Sequence, residues 1–156
     1  EEALISAAME KDALVVHCRK LLERKLTDIR NELEQLQLDL TSESKSTAGD
    51  KHETGRAMLH LEVEKETHRL KETETMLAQW DRIDFKQSYK NVQPGALILT
   101  NKGYFINAVP FGRIDWNGTT VQVLSPVSPL MKGMAGKGAG DCLELPQQTY
   151  VIISVA

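Results

Sequence analysis

The stretch Leu22-Glu-Arg-Lys-Leu26-Thr-Asp-Ile29-Arg-Asn-Glu-Leu33-Glu-Gln-Leu36-Gln-Leu-Asp-Leu40 decides the fold. Its apolar residues recur at steps of 4, 3, 4, 3 and 4, the spacing of a heptad-type helical seam. Val15 and Cys18 extend the seam upstream, while Arg19, Lys20, Glu23, Arg24, Asp28, Arg30, Glu32 and Glu34 occupy the other faces. Downstream, Leu59, Val63, Leu70, Leu77 and Trp80 form a second run, with Glu66 and Thr73 at the intervening seam positions. This second seam is the weaker, and a helix of its length is marginal unless it packs on a partner. Together the runs predict an antiparallel helical hairpin of coiled-coil type, its arms about 45 Å long if each holds ~30 residues.

Working outward, the seams are separated by Thr41-Ser-Glu-Ser-Lys-Ser-Thr-Ala-Gly-Asp50-Lys-His-Glu53-Thr-Gly55, a polar turn-forming stretch. Asp50 is placed to cap the second helix, with Glu53 in the position of a capping-box acid. The same two carboxylates make a hard-oxygen site suited to Mg²⁺, which takes one or two protein carboxylates and keeps several waters. At a hairpin tip they suit a pocket in another molecule better than one in this chain. No proline occurs before Pro94, and all five lie in the remainder. The expected organisation is α+β: a hairpin over residues 1–82 with its acidic tip at 42–55, a linker at 83–93 and a small β domain at 94–156.

Composition excludes several functions. Residues 1–91 carry 15 basic and 19 acidic side chains, and 92–156 carry four and three. Neither part is basic enough for phosphate contacts to dominate binding, which argues against direct nucleic-acid binding. Cys18 and Cys142 lack a Cys or His at zinc-ligand spacing, so two reduced, buried thiols in a cytoplasmic protein are expected. No apolar run approaches the ~20 residues needed to span a bilayer, and no secretion signal is expected.

The C-terminal part reads as short strands and turns. Gly95 to Asn101 and Tyr104 to Val109 form a hairpin around Asn101-Lys-Gly103, and Asp115-Trp-Asn-Gly118 makes a second turn. Thr119–Leu124 alternates as a half-buried strand. Ser128-Pro129 starts a short helix, Gly136 to Asp141 is a loop, and Cys142–Leu145 and Thr149–Val155 are the last strands. A small antiparallel sheet carrying one short helix is expected.

At this point motifs and element order resemble a known family. Ser125-Pro-Val-Ser128-Pro129-Leu130, then Gly136-Lys137, Gly140-Asp141 and an alternating strand resemble the C-terminal domain of bacterial Gre-type transcript cleavage factors. Gly49-Asp50-Lys51-His52-Glu53 resembles that family's G-D-x-x-E tip. The resemblance implies an FKBP-like C-terminal domain and, as partner, bacterial RNA polymerase, entered through its secondary channel. It implies that Asp50 holds metal and Glu53 orients metal or water. The metal would be Mg²⁺ of the polymerase active site, shared by the two acids, with no cofactor of the chain's own. The factor would stimulate the polymerase's nuclease without being an enzyme itself, and would meet nascent RNA and DNA only within that complex. Ser128, Pro129 and Leu130 would dock at the channel entrance, and Lys51, His52 and Arg56 are possible tip contacts. A cytoplasmic monomer away from membranes is expected.

Where the family continues with Asn and an acidic-aromatic pair, this chain has Thr54-Gly-Arg56, so a channel-binding modulator without cleavage activity is a second expectation. A structural coiled-coil interaction protein is a third. His60, Glu64 and His68 share a helical face but read as solvent-facing residues. Prolyl isomerase activity is not expected, because few aromatics are present to line a proline pocket.

Overall fold

The computed structural model describes the backbone of residues 2–44 and 50–156, and the side chains of 10–42 and 53–156. The long runs are helices: α1 spans Glu2–Ser44 and α2 spans Asp50–Arg82. Helix therefore extends into the polar stretch from both sides. The rest comprises β1 (Leu97–Thr100), β2 (Gly103–Asn107), β3 (Gly112–Trp116), β4 (Thr119–Leu124), α3 (Pro129–Met134), β5 (Cys142–Leu145) and β6 (Gln148–Val155). The fold is α+β, as expected. The chain forms two compact units, Lys20–Leu77 and Glu1–Arg19 with Ala78–Ala156.

The 20–77 unit is a helical hairpin. On α1, Leu22, Leu26, Ile29 and Leu36 are buried, with Leu33 and Leu40 half-buried. On α2, Leu59, Val63, Leu70 and Leu77 are half-buried, whereas Glu66 and Thr73 are buried at the seam positions where the spacing puts them. Each fully buried leucine contributes about 1.5–3 kcal/mol, so α1 supplies most of the seam's stability. Thr73 satisfies its hydroxyl by donating to the Arg69 carbonyl at 2.8 Å. Glu66 accepts from Arg69 Nη1 through both carboxylate oxygens, at 2.8 and 3.0 Å. Arg30 reaches Glu74 across the seam at 3.7 Å.

The other unit is built on a six-stranded sheet of order β3-β4-β2-β1-β6-β5. All pairs are antiparallel except β2 with β4, which run parallel from Tyr104↔Val121 to Asn107↔Leu124. The sheet is thus antiparallel in the main, as expected, and the parallel β2–β4 pair is a feature the sequence did not reveal. A parallel pair needs a crossover between its strands, and here that crossover passes through β3, itself absent from the sequence reading. Strand β3 returns to β4 through Asn117-Gly118, whose φ values of 50° and 80° are both positive, as a type I′ turn requires.

One sheet face packs against α3. Tyr89, Val92, Ile98, Phe105, Met131 and Met134 belong to this core. Helix α3 starts as its sequence predicts, with Ser128 at the N-cap accepting from the Met131 N–H at 3.3 Å and proline in the first turn. The opposite face carries buried Leu97, Ile106, Ile114, Val121 and Val123, joined by their cross-strand registers. The first part of α1 belongs to this unit and is tied in by Lys11, whose Nζ donates to the carbonyls of Gln87 and Ala156, each at 3.1 Å. The ammonium lies 4.9 Å from the centre of the Tyr89 ring. Burial pushes its pKa down, with Asp12 and Asp84 opposing. Arg19 forks onto Asp81 at 2.8 and 3.0 Å in the same unit, and the hydrogen bond holds the carboxyl below its ordinary range.

Cys18 is fully buried. Cys142 is exposed, correcting the expectation of two buried thiols. It lies on edge strand β5 on the face shared with Glu144, while Leu143 between them packs on the core.

Candidate functional site

Asp50 is the first residue of α2, and Glu53 follows three positions on. Positions three apart on a helix are surface neighbours, and acids in a first turn are favoured by the positive end of the helix dipole. The sequence therefore reads the same way locally for two reasons, helix initiation and concentration of negative charge. Glu53 is exposed, as is Arg56 one turn further along the same helix. The side chains of Asp50, Lys51 and His52 lie outside the described residues, as does whatever caps α2. Two carboxylates cannot complete the shell of a hard cation, and a magnesium ion here would need further oxygens from water or another molecule. Among the described residues no group of three or more His, Cys, Asp and Glu is arranged to hold a metal.

Ser128, Pro129 and Leu130 belong to the other unit and lie together at the start of α3. The Ser128 hydroxyl is occupied in capping, Pro129 is exposed, and Leu130 is partly buried against the core. Beside them Val127 is 69% exposed, more than any other large apolar residue described. The sequence reading passed over it, although the flanking Pro126 and the cap at Ser128 hold this segment out of regular structure. His60 and His68 are exposed, and His68 Nε2 meets Glu72 at 2.9 Å, an ordinary i, i+4 surface pair. No helix among the described residues is long and apolar enough to cross a membrane.

No family model matches the chain. No curated protein matches it either. Among solved structures, one titled as the structure of the transcription factor Gfh1 is similar at 18% identity, with a TM-score of 0.38, over 88% of this chain and 92% of that one.

Proposed function

We propose that this protein is a Gre-type elongation factor that binds bacterial RNA polymerase at its secondary channel and supports Mg-dependent cleavage of backtracked RNA. The observation that carries the reading is the acid pair at positions 50 and 53, in the first turn of α2 where the second arm of the hairpin begins. Support also comes from the likeness of the Ser125-to-Asp141 motif to the family's C-terminal domain, with Ser128 and Pro129 at the start of α3. In this reading Asp50 offers a carboxylate to the polymerase's magnesium, and Glu53 orients the water or the metal. A magnesium pair activates water and stabilises the leaving oxygen of a phosphodiester. The chain supplies position and charge, and the nuclease remains the polymerase. Ser128 to Leu130 form part of the docking region, and the factor acts as a cytoplasmic monomer without a cofactor of its own.

A second reading, a channel-binding modulator without cleavage activity, is favoured by Arg56. Arg56 is exposed and lies three positions beyond Glu53, a spacing at which a base and an acid are neighbours on a helix surface. Both readings require binding, which co-sedimentation with bacterial core polymerase tests. The wild-type chain and the Asp50→Ala and Glu53→Ala variants should co-sediment equally. Failure of the wild-type chain to bind would leave the coiled-coil interaction protein as the surviving alternative.

A further inference from the structure

We propose that a cavity in the sheet unit, between the first part of α1 and strands β1 to β4, binds an ammonium group carried on a compact apolar body. The cavity holds about 240 Å³ and is lined by residues of this one unit. Its apolar surface comes from Leu14, Leu97 and Val121, exposed by only 2, 4 and 1%. Two aromatic rings, Tyr104 and Trp116, line it further, and Glu10 contributes an exposed carboxylate.

Charge and size select the occupant. The lining contains one carboxylate and no lysine, arginine or histidine; Asn117 and Thr119 complete it with neutral polar groups, so phosphates and carboxylates would find no balancing charge. Glu10 has no ion pair among the described residues, leaving its charge available. Arg113 and Asp115 alternate with Ile114 and Trp116 along β3 and so belong to its other face. A carboxylate combined with aromatic faces is the usual chemistry for recognising an organic cation. The volume equals that of about eight waters and is smaller than most cofactor sites. It suits a small aromatic or aliphatic amine, or one lysine side chain from a partner, and is too small for a nucleotide.

Trp116 presents ring surface here. Its indole N–H is buried without a hydrogen-bond partner, and the ring packs on His17 with centroids 4.9 Å apart. That packing makes the indole a reporter, distinguishable from Trp80, which packs on Phe85 with centroids 4.4 Å apart.

The test follows the two indole N–H resonances of the full chain by NMR, assigned with Trp116→Phe. Phenethylammonium, its neutral isostere phenylethanol, and N-acetyl-lysine N-methylamide are titrated in separate arms. A saturable shift of Trp116, with Trp80 unmoved, is expected for at least one ammonium. The tighter ammonium arm identifies the source as a free amine or a protein side chain. Phenylethanol should bind about fivefold more weakly than phenethylammonium, and Glu10→Gln should weaken the ammonium by about fivefold without affecting the alcohol. Absence of a saturable Trp116 shift with either ammonium up to ~10 mM, the upper edge of weak specific binding, would overturn the proposal. Equal affinity for the alcohol, or an unchanged ammonium affinity in Glu10→Gln, would also overturn it.

Discussion

Replacing Glu66 by leucine should stabilise the hairpin even though it breaks an ion pair. Glu66 is only 5% exposed and faces the seam, while the Arg69 side chain that holds it is 45% exposed. An i, i+3 pair with one solvated partner is worth about 0.5 kcal/mol. A buried leucine contributes about 1.5–3 kcal/mol, part of which the buried methylenes of Glu66 already supply. Relief of carboxylate desolvation adds to the gain, so the net for Glu66→Leu is about 1–2 kcal/mol of stabilisation. Arg69→Ala breaks the same pair from the other side and should destabilise by about 1–3 kcal/mol, because it leaves a buried carboxylate unpaired. Urea unfolding followed by helical circular dichroism distinguishes these signs. With a slope of about 1–3 kcal/mol per molar, the midpoint should rise for Glu66→Leu and fall for Arg69→Ala. A lower midpoint for Glu66→Leu would show that the carboxylate itself holds the helices in register and refute the reasoning.

A thiol reagent should modify one cysteine per native chain, Cys142, and reach the buried Cys18 only in denaturant; fast modification of both would contradict the packing. Burial pushes the Cys18 thiol up to about 12 from 9.0, so the folded state retains a proton that the unfolded chain loses. Its contribution is therefore intact below pH 9 and lost as pH rises from 9 through 12, by about 4 kcal/mol in full at 1.36 kcal/mol per unit. Cys18→Val should remove that alkaline decline, measured as unfolding free energy against pH. Lys11→Met keeps the apolar stem but deprives the carbonyls of Gln87 and Ala156 of their shared donor, and should cost about 2–3 kcal/mol by the same assay. Because the Lys11 pKa is lowered, its own linkage has the opposite sign: native stability gains as pH rises towards 10.5, and the variant should lack that gain.

The hairpin was legible because spacings of 3 and 4 along one chain suffice to define a buried stripe, down to the polar seam residues Glu66 and Thr73. The start of α3 was legible because Ser128 and Pro129 carry a local signal. Strand β3 was not, since Arg113-Ile-Asp-Trp116 runs straight into Asn117-Gly118 and reads as turn. The parallel β2–β4 pair depends on where the chain crosses over, which no local pattern encodes. Exposure of Cys142 was available in principle from Glu144 two residues on, which marks the solvent face of the strand. The cavity draws on three separated segments, around Leu14, Leu97 to Tyr104, and Trp116 to Val121, and only folding unites them. The acids at 50 and 53 could be placed at the start of the second helix from sequence, whereas the metal chemistry proposed for them depends on a partner's ligands.

The most direct measurement is RNA cleavage in a backtracked elongation complex of bacterial polymerase, with and without this protein. Faster Mg-dependent shortening of the transcript is expected with the wild-type chain. Asp50→Ala and Glu53→Ala should each lose that effect at unchanged polymerase binding, since in the proposed mechanism the acids act on the transition state. Cleavage at the polymerase's intrinsic rate with the wild-type chain, or full stimulation by both variants, would contradict it.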